Sequence, residues 1–189
     1  MCSDAGLQWA ADACLPAAIL SAAVSIMHPK LFKEGIQGMK KLNQYADESD
    51  SKMATAMQHW SSVFTNMQLI ANRAAPLHRD PNTLAPWFDL LCTVGEYEDC
   101  FMYIPTLGII LEYPPGTLVA FSGCLLWHAV NRVEGNRYTM VYYMRWAVHQ
   151  WLGVGNPNWM NIHNLKGTLM GSDAGNEEKV AVDDDCTAE

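Results

Sequence analysis

Between Phe88 and Trp146 the sequence is divided into pieces of strand length, and this constrains the fold more than any other feature. Phe88 to Val94, Cys100 to Ile104, Leu107 to Tyr113, Thr117 to Phe121, Leu126 to Val130 and Arg137 to Trp146 are rich in β-branched and aromatic residues. Turn formers stand between them at Gly95-Glu96, Pro105, Pro114-Pro115-Gly116 and Glu134-Gly135-Asn136. Upstream, Val63 to Ile70 has the same mixed texture, and Pro76, Pro81 and Pro86 break the chain around His78 into short extended pieces. Many short strands at this spacing predict a sandwich or barrel.

Two of these pieces carry charge where a barrel interior is expected. In the last strand Arg137, Thr139, Val141, Tyr143 and Arg145 share one face at period two. An arginine among lining residues needs an anionic partner, which a cosubstrate carboxylate would supply. Near the first prolines stands His78-Arg79-Asp80. In an extended segment His78 and Asp80 point one way and Arg79 the other. His128 lies 48 positions beyond Asp80, near enough for a strand across a small barrel to return it to the same mouth. Two ligands one residue apart plus a distal histidine is the spacing of a 2-His-1-carboxylate site for non-haem Fe(II), which leaves coordination positions open. An isolated His-x-Asp is usually a surface pair, and a lone histidine after an apolar run is usually a hydrogen-bonded core residue. The ordered conjunction with Arg137, across a strand-rich region, points to a metal.

The rest of the chain reads as support. At 189 residues, half of them hydrophobic, it suffices for one ordinary domain and not for two. The apolar run Ala13 to Met27 lacks the basic start of a signal peptide and is too short and interrupted to span a bilayer. It predicts a helix from near Pro16 that ends before His28-Pro29. A second helix is expected from Pro29 or Lys30 to about Ala46, with Phe32, Ile36, Met39 and Tyr45/Ala46 as its apolar stripe. Ser49 or Asp50 is placed to cap a short helix towards His59. The expected organisation is an N-terminal helical buttress over residues 1–60, a β core over 61–153, a packing segment over 154–170 and an acidic disordered tail over 171–189. Asp173 to Glu189 holds a balance of −6 out of the formal −8, leaving −2 for the body. Six cysteines lack the spacing of a disulfide framework or a paired zinc site.

In order along the chain, Leu77-His-Arg-Asp-Pro-Asn-Thr83, Trp87 to Tyr97, Leu107-Gly108, Tyr113-Pro-Pro-Gly-Thr117, Ser122-Gly123, Trp127-His-Ala-Val130, Gly135-Asn-Arg137 and Tyr142-Tyr-Met-Arg145 resemble fungal members of the Tet/JBP group of Fe(II)- and 2-oxoglutarate-dependent dioxygenases. The resemblance covers roughly residues 60 to 153. It implies a double-stranded β-helix (jelly-roll) core, mainly β with flanking helices, and oxidation of methyl groups on nucleic-acid bases with O2. It further implies that His78, Asp80 and His128 hold iron and that Arg137 binds the distal carboxylate of 2-oxoglutarate.

A base in a duplex must leave the stack to reach such an iron. Asn82, Thr83, Trp87, Tyr97, Tyr143 and Arg145 are the candidates to line its pocket, although each aromatic is also readable as core. Two departures bear on which base. Animal and amoebal relatives carry a histidine eight positions after the cosubstrate arginine, where this chain has Arg145. The asparagine or aspartate that reads cytosine in them falls at Thr83, one place after Asn82. Both departures weaken a carry-over of cytosine specificity, so methylated DNA with 5-methylcytosine stays the first expectation and N6-methyladenine is a serious second. A dioxygenase of a peptide or metabolite, and a jelly-roll binding protein without metal, are the remaining classes. DNA contact would fall to Lys30, Lys33, Lys40 and Lys41, equally readable as a solvated helix face, and to Arg73, Arg79 and Arg132. No membrane partner is expected, and the location would be intracellular, nuclear if DNA is the substrate.

Overall fold

The computed structural model describes residues 3–161, so the acidic tail and most of the C-terminal packing segment lie outside the described residues. The chain divides into two compact units, Met1–Thr65 with Ala147–Met160, and a β unit that runs from Asn66 to Trp146. Residues 147–153, expected at the end of the β core, thus fall with the helices.

In the helical unit, α1 spans Asp4–Asp12 and α2 spans Cys14–Met27. The Ser3 hydroxyl caps α1 by accepting from the Gly6 N–H at 3.2 Å. The sequence does not predict this short helix, because its apolar residues have no clear period. Helix α3, Pro29–Ser49, begins where Pro29 can no longer extend α2, and the His28 imidazole accepts from the Leu31 N–H at 3.1 Å. Asp50 closes α3 and caps α4, Ser51–Met57, as its sequence position predicts. The buried stripe of α3 is Leu31, Gly35, Gly38, Leu42 and Ala46, one position off the expected Phe32, Ile36 and Met39, which are only half-buried. Two glycines form the seam, so hydrophobicity alone misplaces it. A last helix, α5, covers Trp146–Leu152 and begins where the last expected strand ends. Lys41 donates to the carbonyls of Leu152 and Gly153 at 2.8 Å, capping α5. It is therefore not a free cation for phosphate. Among the described residues no single helix is long and apolar enough to cross a membrane; α1 and α2, bent by 50°, pass together on length and composition alone.

The β unit contains β1 (Asn66–Ala71), β2 (Ala75–His78), β3 (Asp89–Tyr97), β4 (Phe101–Ile104), β5 (Ile109–Glu112), β6 (Leu118–Phe121), β7 (His128–Val130) and β8 (Gly135–Tyr143). All neighbours are antiparallel, in two four-stranded sheets of order β1-β8-β3-β6 and β2-β7-β4-β5. This is the expected jelly roll, in which successive strands alternate between sheets until the chain doubles back. Leu91, Tyr97, Met102, Ile104, Tyr113, Phe121 and Val130 pack between the sheets as its core.

One expected turn is absent. Gly95-Glu96 lies inside β3, opposite Arg137 and Asn136 of β8. At Gly95 the backbone takes φ +130°, and a Cβ there would lie 1.9 Å from the Asn136 carbonyl oxygen. The glycine serves close strand approach, not reversal of the chain.

Candidate metal centre

Antiparallel pairing of β2 with β7 sets His78 directly opposite His128, so both imidazoles project to one face with ring centroids 4.2 Å apart. Asp80 follows two residues on, its N–H donating to the Gly123 carbonyl at 2.9 Å. One carboxylate oxygen lies 3.6 Å from His78 Nε2 and the other 3.4 Å from His128 Nε2. The three potential ligand atoms fall within 4.8 Å of one another, a set able to hold one metal ion. Arg79 turns away, its guanidinium 5.2 Å from the centre of the Trp127 ring.

The hydrogen bonds prepare both rings for a metal. His78 Nδ1 lies 2.7 Å from the Pro76 carbonyl and His128 Nδ1 lies 2.9 Å from the Leu126 carbonyl. A carbonyl can only accept, so each Nδ1 carries the proton and each Nε2 presents a lone pair toward Asp80. The donor set, two neutral imidazoles and one carboxylate, fits Fe(II) and leaves positions open. Without metal, His128 is able to take a second proton on Nε2 and donate it to the Asp80 carboxylate; this holds the carboxylate below its usual range, against burial, which raises it. Burial alone would lower the His128 pKa, but its bonds to Asp80 and Leu126 outweigh that and raise it.

This cluster opens into a cavity of about 480 Å³ lined from both sheets. The period-two face of β8 forms one wall with Arg137, Thr139, Val141 and Tyr143, and Arg145 just beyond the strand also lines the cavity, as the alternation predicts. Arg137 is 4 % exposed; Nη1 donates to Thr139 Oγ1 at 3.3 Å and Nη2 donates to the Arg73 carbonyl. Its Nε has no hydrogen-bond partner, and no acid pairs with it among the described residues. The buried Tyr113 hydroxyl, also on the cavity wall, is likewise unpartnered. A buried cation and a spare hydroxyl without an anion form a seat for a carboxylate.

Asn82 and Thr83 line the cavity as well; Asn82 takes a left-handed φ of 75°, and the Thr83 hydroxyl is buried without a partner. Tyr97 does not line it. It lies at the far end of β3, eight residues beyond Asp89, where its hydroxyl lies 2.8 Å from Thr93 Oγ1 and donates to the Tyr113 carbonyl at 2.9 Å. Trp87 is buried at 1 % exposure, 6.4 Å from the Trp146 ring, and is also absent from the wall. Of the expected basic residues, Arg73 lines the cavity, whereas Arg132 borders a separate acidic depression with Glu96, Glu98, Asp99 and Glu134.

Sequence reasoning missed Tyr113, Gln68 and, above all, Asp89. The signal for Asp89 was present: one acid inside the apolar run Trp87-Phe-Asp-Leu-Leu91. It is 2 % exposed, and burial, then the nearby Asp80 charge, push its carboxyl up to about 8 despite the Gly123 N–H beside it. A folded-state value above the unfolded one means the native state holds the extra proton. In metal-free protein this contribution is fully present below about pH 4 and is lost as pH rises through about 8. Asp89→Asn, which cannot ionise, should flatten that decline, so chemical denaturation of metal-free protein should show variant minus wild type growing from pH 5 to pH 8. An unchanged slope would mean Asp89 is not protonated in the fold.

Gly123 separates the two acids. A Cβ on it would lie 2.5 Å from Asp89 Oδ2 and 2.9 Å from Asp80 Oδ2. Gly123→Ala is expected to displace the Asp80 carboxylate and weaken iron binding by about 10–100-fold, the usual cost of disturbing a ligand's support. Calorimetric titration with Fe(II) under anaerobic conditions measures it.

A two-sheet jelly roll with a His-x-Asp and distal His at its mouth, and a buried arginine behind them, defines the architecture of the iron- and 2-oxoglutarate-dependent oxygenases. The Tet_JBP family, described as the oxygenase domain of the 2OGFeDO superfamily, matches residues 9–146. This chain belongs to that family. A comparison with curated proteins gives no match. Among solved structures the fold is similar to NgTET1 in complex with 5mC DNA, with a TM-score of 0.54 and 13 % identity over 89 % of this chain and 61 % of that one. The chain thus spans about three-fifths of that relative's length.

Proposed function

We propose that this chain is an Fe(II)/2-oxoglutarate-dependent dioxygenase that oxidises the methyl group of a methylated base in DNA, 5-methylcytosine first, with His78, Asp80 and His128 holding the iron and Arg137 the distal carboxylate of 2-oxoglutarate. The observation that carries this reading is convergence: the three ligands, the unpaired Arg137 and the polar residues Asn82, Thr83, Tyr143 and Arg145 line one cavity. NgTET1, which shares the fold, is a protein solved with 5mC DNA.

When bound, iron and 2-oxoglutarate supply O2-driven oxidation of a C–H bond, coupled to decarboxylation of the keto acid to succinate. The chain supplies position. The Pro76 and Leu126 carbonyls hold the imidazoles with Nε2 turned inward, and the Gly123 carbonyl holds the Asp80 backbone. Arg137, steadied by Thr139 and the Arg73 carbonyl, pairs with the distal carboxylate, and Tyr113 adds a neutral donor. Asn82 and Thr83, just beyond the ligand Asp80, would orient the base.

Arg145 favours cytosine. Its Nη2 lies 3.4 Å from the Tyr143 hydroxyl, and its guanidinium lies 5.3 Å from that ring. A guanidinium only donates. Cytosine offers two adjacent acceptors, O2 and N3, to such a fork, whereas N6-methyladenine offers one acceptor beside an N–H donor. The departure at Thr83 keeps N6-methyladenine as the second reading.

The test is base-resolved mass spectrometry of duplexes carrying either methylated base, after incubation with protein, iron and 2-oxoglutarate. Oxidised 5-methylcytosine with matching succinate is the expected result. Loss of N6-methyladenine alone would transfer the assignment to that base. Succinate release that neither duplex stimulates would remove DNA as substrate.

A further inference from the structure

Helix α2 contains no charged residue over its fourteen positions. Ala17, Leu20, Ser21 and Val24 are buried within the helical unit, and the opposite face is as apolar as the buried one. Leu15, Ile19 and Ile26 are 70 %, 59 % and 76 % exposed, with exposed Ala22 between them. Positions 15, 19, 22 and 26 follow the four-three-four spacing of a helix seam that meets another helix. With Met27 and Trp9, each 38 % exposed, the face opens on the order of 500 Å² of apolar surface, at the upper end of what a monomer leaves in water. Paired with its own copy it would bury roughly 1,000 Å², the lower bound for a specific interface.

The charges beyond the ends of α2 select the partner and its direction. Asp4 and Asp12 precede the helix, and Lys30 and Lys33 follow it. An antiparallel pair brings the acidic end of each copy to the basic end of the other, whereas a parallel pair sets like charges together. The acidic N-terminal flank also disfavours an anionic bilayer, which attracts basic amphipathic segments. We propose that α2 pairs antiparallel with α2 of a second copy of this chain, giving a two-fold dimer whose seam is Leu15, Ile19, Ala22 and Ile26.

Across such a two-fold, position 15 of one copy faces position 26 of the other. Sedimentation velocity of the full chain from about 1 to 100 µM should show a monomer passing to a dimer. Leu15→Glu alone and Ile26→Lys alone should each stay monomeric at the highest concentration while melting like wild type. The same two changes in one chain should restore the dimer through the new Glu–Lys pairs. Wild type monomeric throughout, single variants that still dimerise, or a double variant that stays monomeric would each overturn the proposal. So would flotation of the monomer with lipid vesicles in place of self-association. None of these readouts depends on the substrate reading, because the seam lies outside the metal site.

Discussion

Asp80→Ala should abolish iron binding and succinate formation while leaving the metal-free fold intact. Asp80 supplies the one negative charge that the two neutral imidazoles lack, and both of its oxygens face an Nε2 within 3.6 Å. Disturbing a ligand's support typically costs 10–100-fold in affinity, so deleting the carboxylate itself should cost more than about a hundredfold. Stability should change little. The side chain is 41 % exposed, which limits what its partnership with His128 contributes to the metal-free fold. The neighbouring Arg79→Ala is the control, because Arg79 stacks on Trp127 away from the ligands. Anaerobic calorimetry with Fe(II), beside thermal melts of both variants without metal, decides the matter. Near wild-type iron affinity in Asp80→Ala would mean that the three side chains do not act as one site.

The parts of this site that the sequence disclosed are those governed by strand alternation. His78 and Asp80 needed only an extended backbone to share a face, and the run from Arg137 to Arg145 needed only period two to line a wall. The parts that escaped depend on contacts between strands far apart in the chain. Tyr113 follows β5 beside a Pro-Pro-Gly turn and reads locally as a turn residue; only the closed jelly roll brings it to the cavity wall that Arg137 also lines. Tyr97 failed in the opposite direction. Its face of β3 was readable, but its depth was not, and eight strand residues carry it roughly 25 Å from Asp89 at the mouth. The helices show the same division. Caps and the proline break fixed the limits of α3 and α4, whereas the α3 seam ran through Gly35 and Gly38, which have no side chain to give a hydrophobic signal.

Arg137→Met should move cosubstrate affinity and metal-free stability in opposite directions. The guanidinium is buried at 4 % exposure, meets only a hydroxyl and a carbonyl, leaves Nε unpartnered and has no acidic partner among the described residues. An uncompensated buried charge costs several kcal/mol, and replacing buried charge by an apolar side chain of similar volume is often stabilising by about 1–4 kcal/mol. Melting of metal-free Arg137→Met should therefore rise by several degrees, at roughly 2–4 °C per kcal/mol for a larger single domain. Binding of 2-oxoglutarate should collapse. Removing one partner of a buried, hydrogen-bonded charge pair costs about 2–5 kcal/mol, or roughly thirtyfold to several thousandfold in Kd. Arg137→Lys keeps the charge but loses the planar fork, so its affinity should fall between the two. A purely structural arginine would give the reverse pattern, with melting lowered and 2-oxoglutarate affinity unchanged. A seat kept strained until a dicarboxylate fills it predicts that saturating 2-oxoglutarate with iron raises the melting temperature of wild type but not of Arg137→Met.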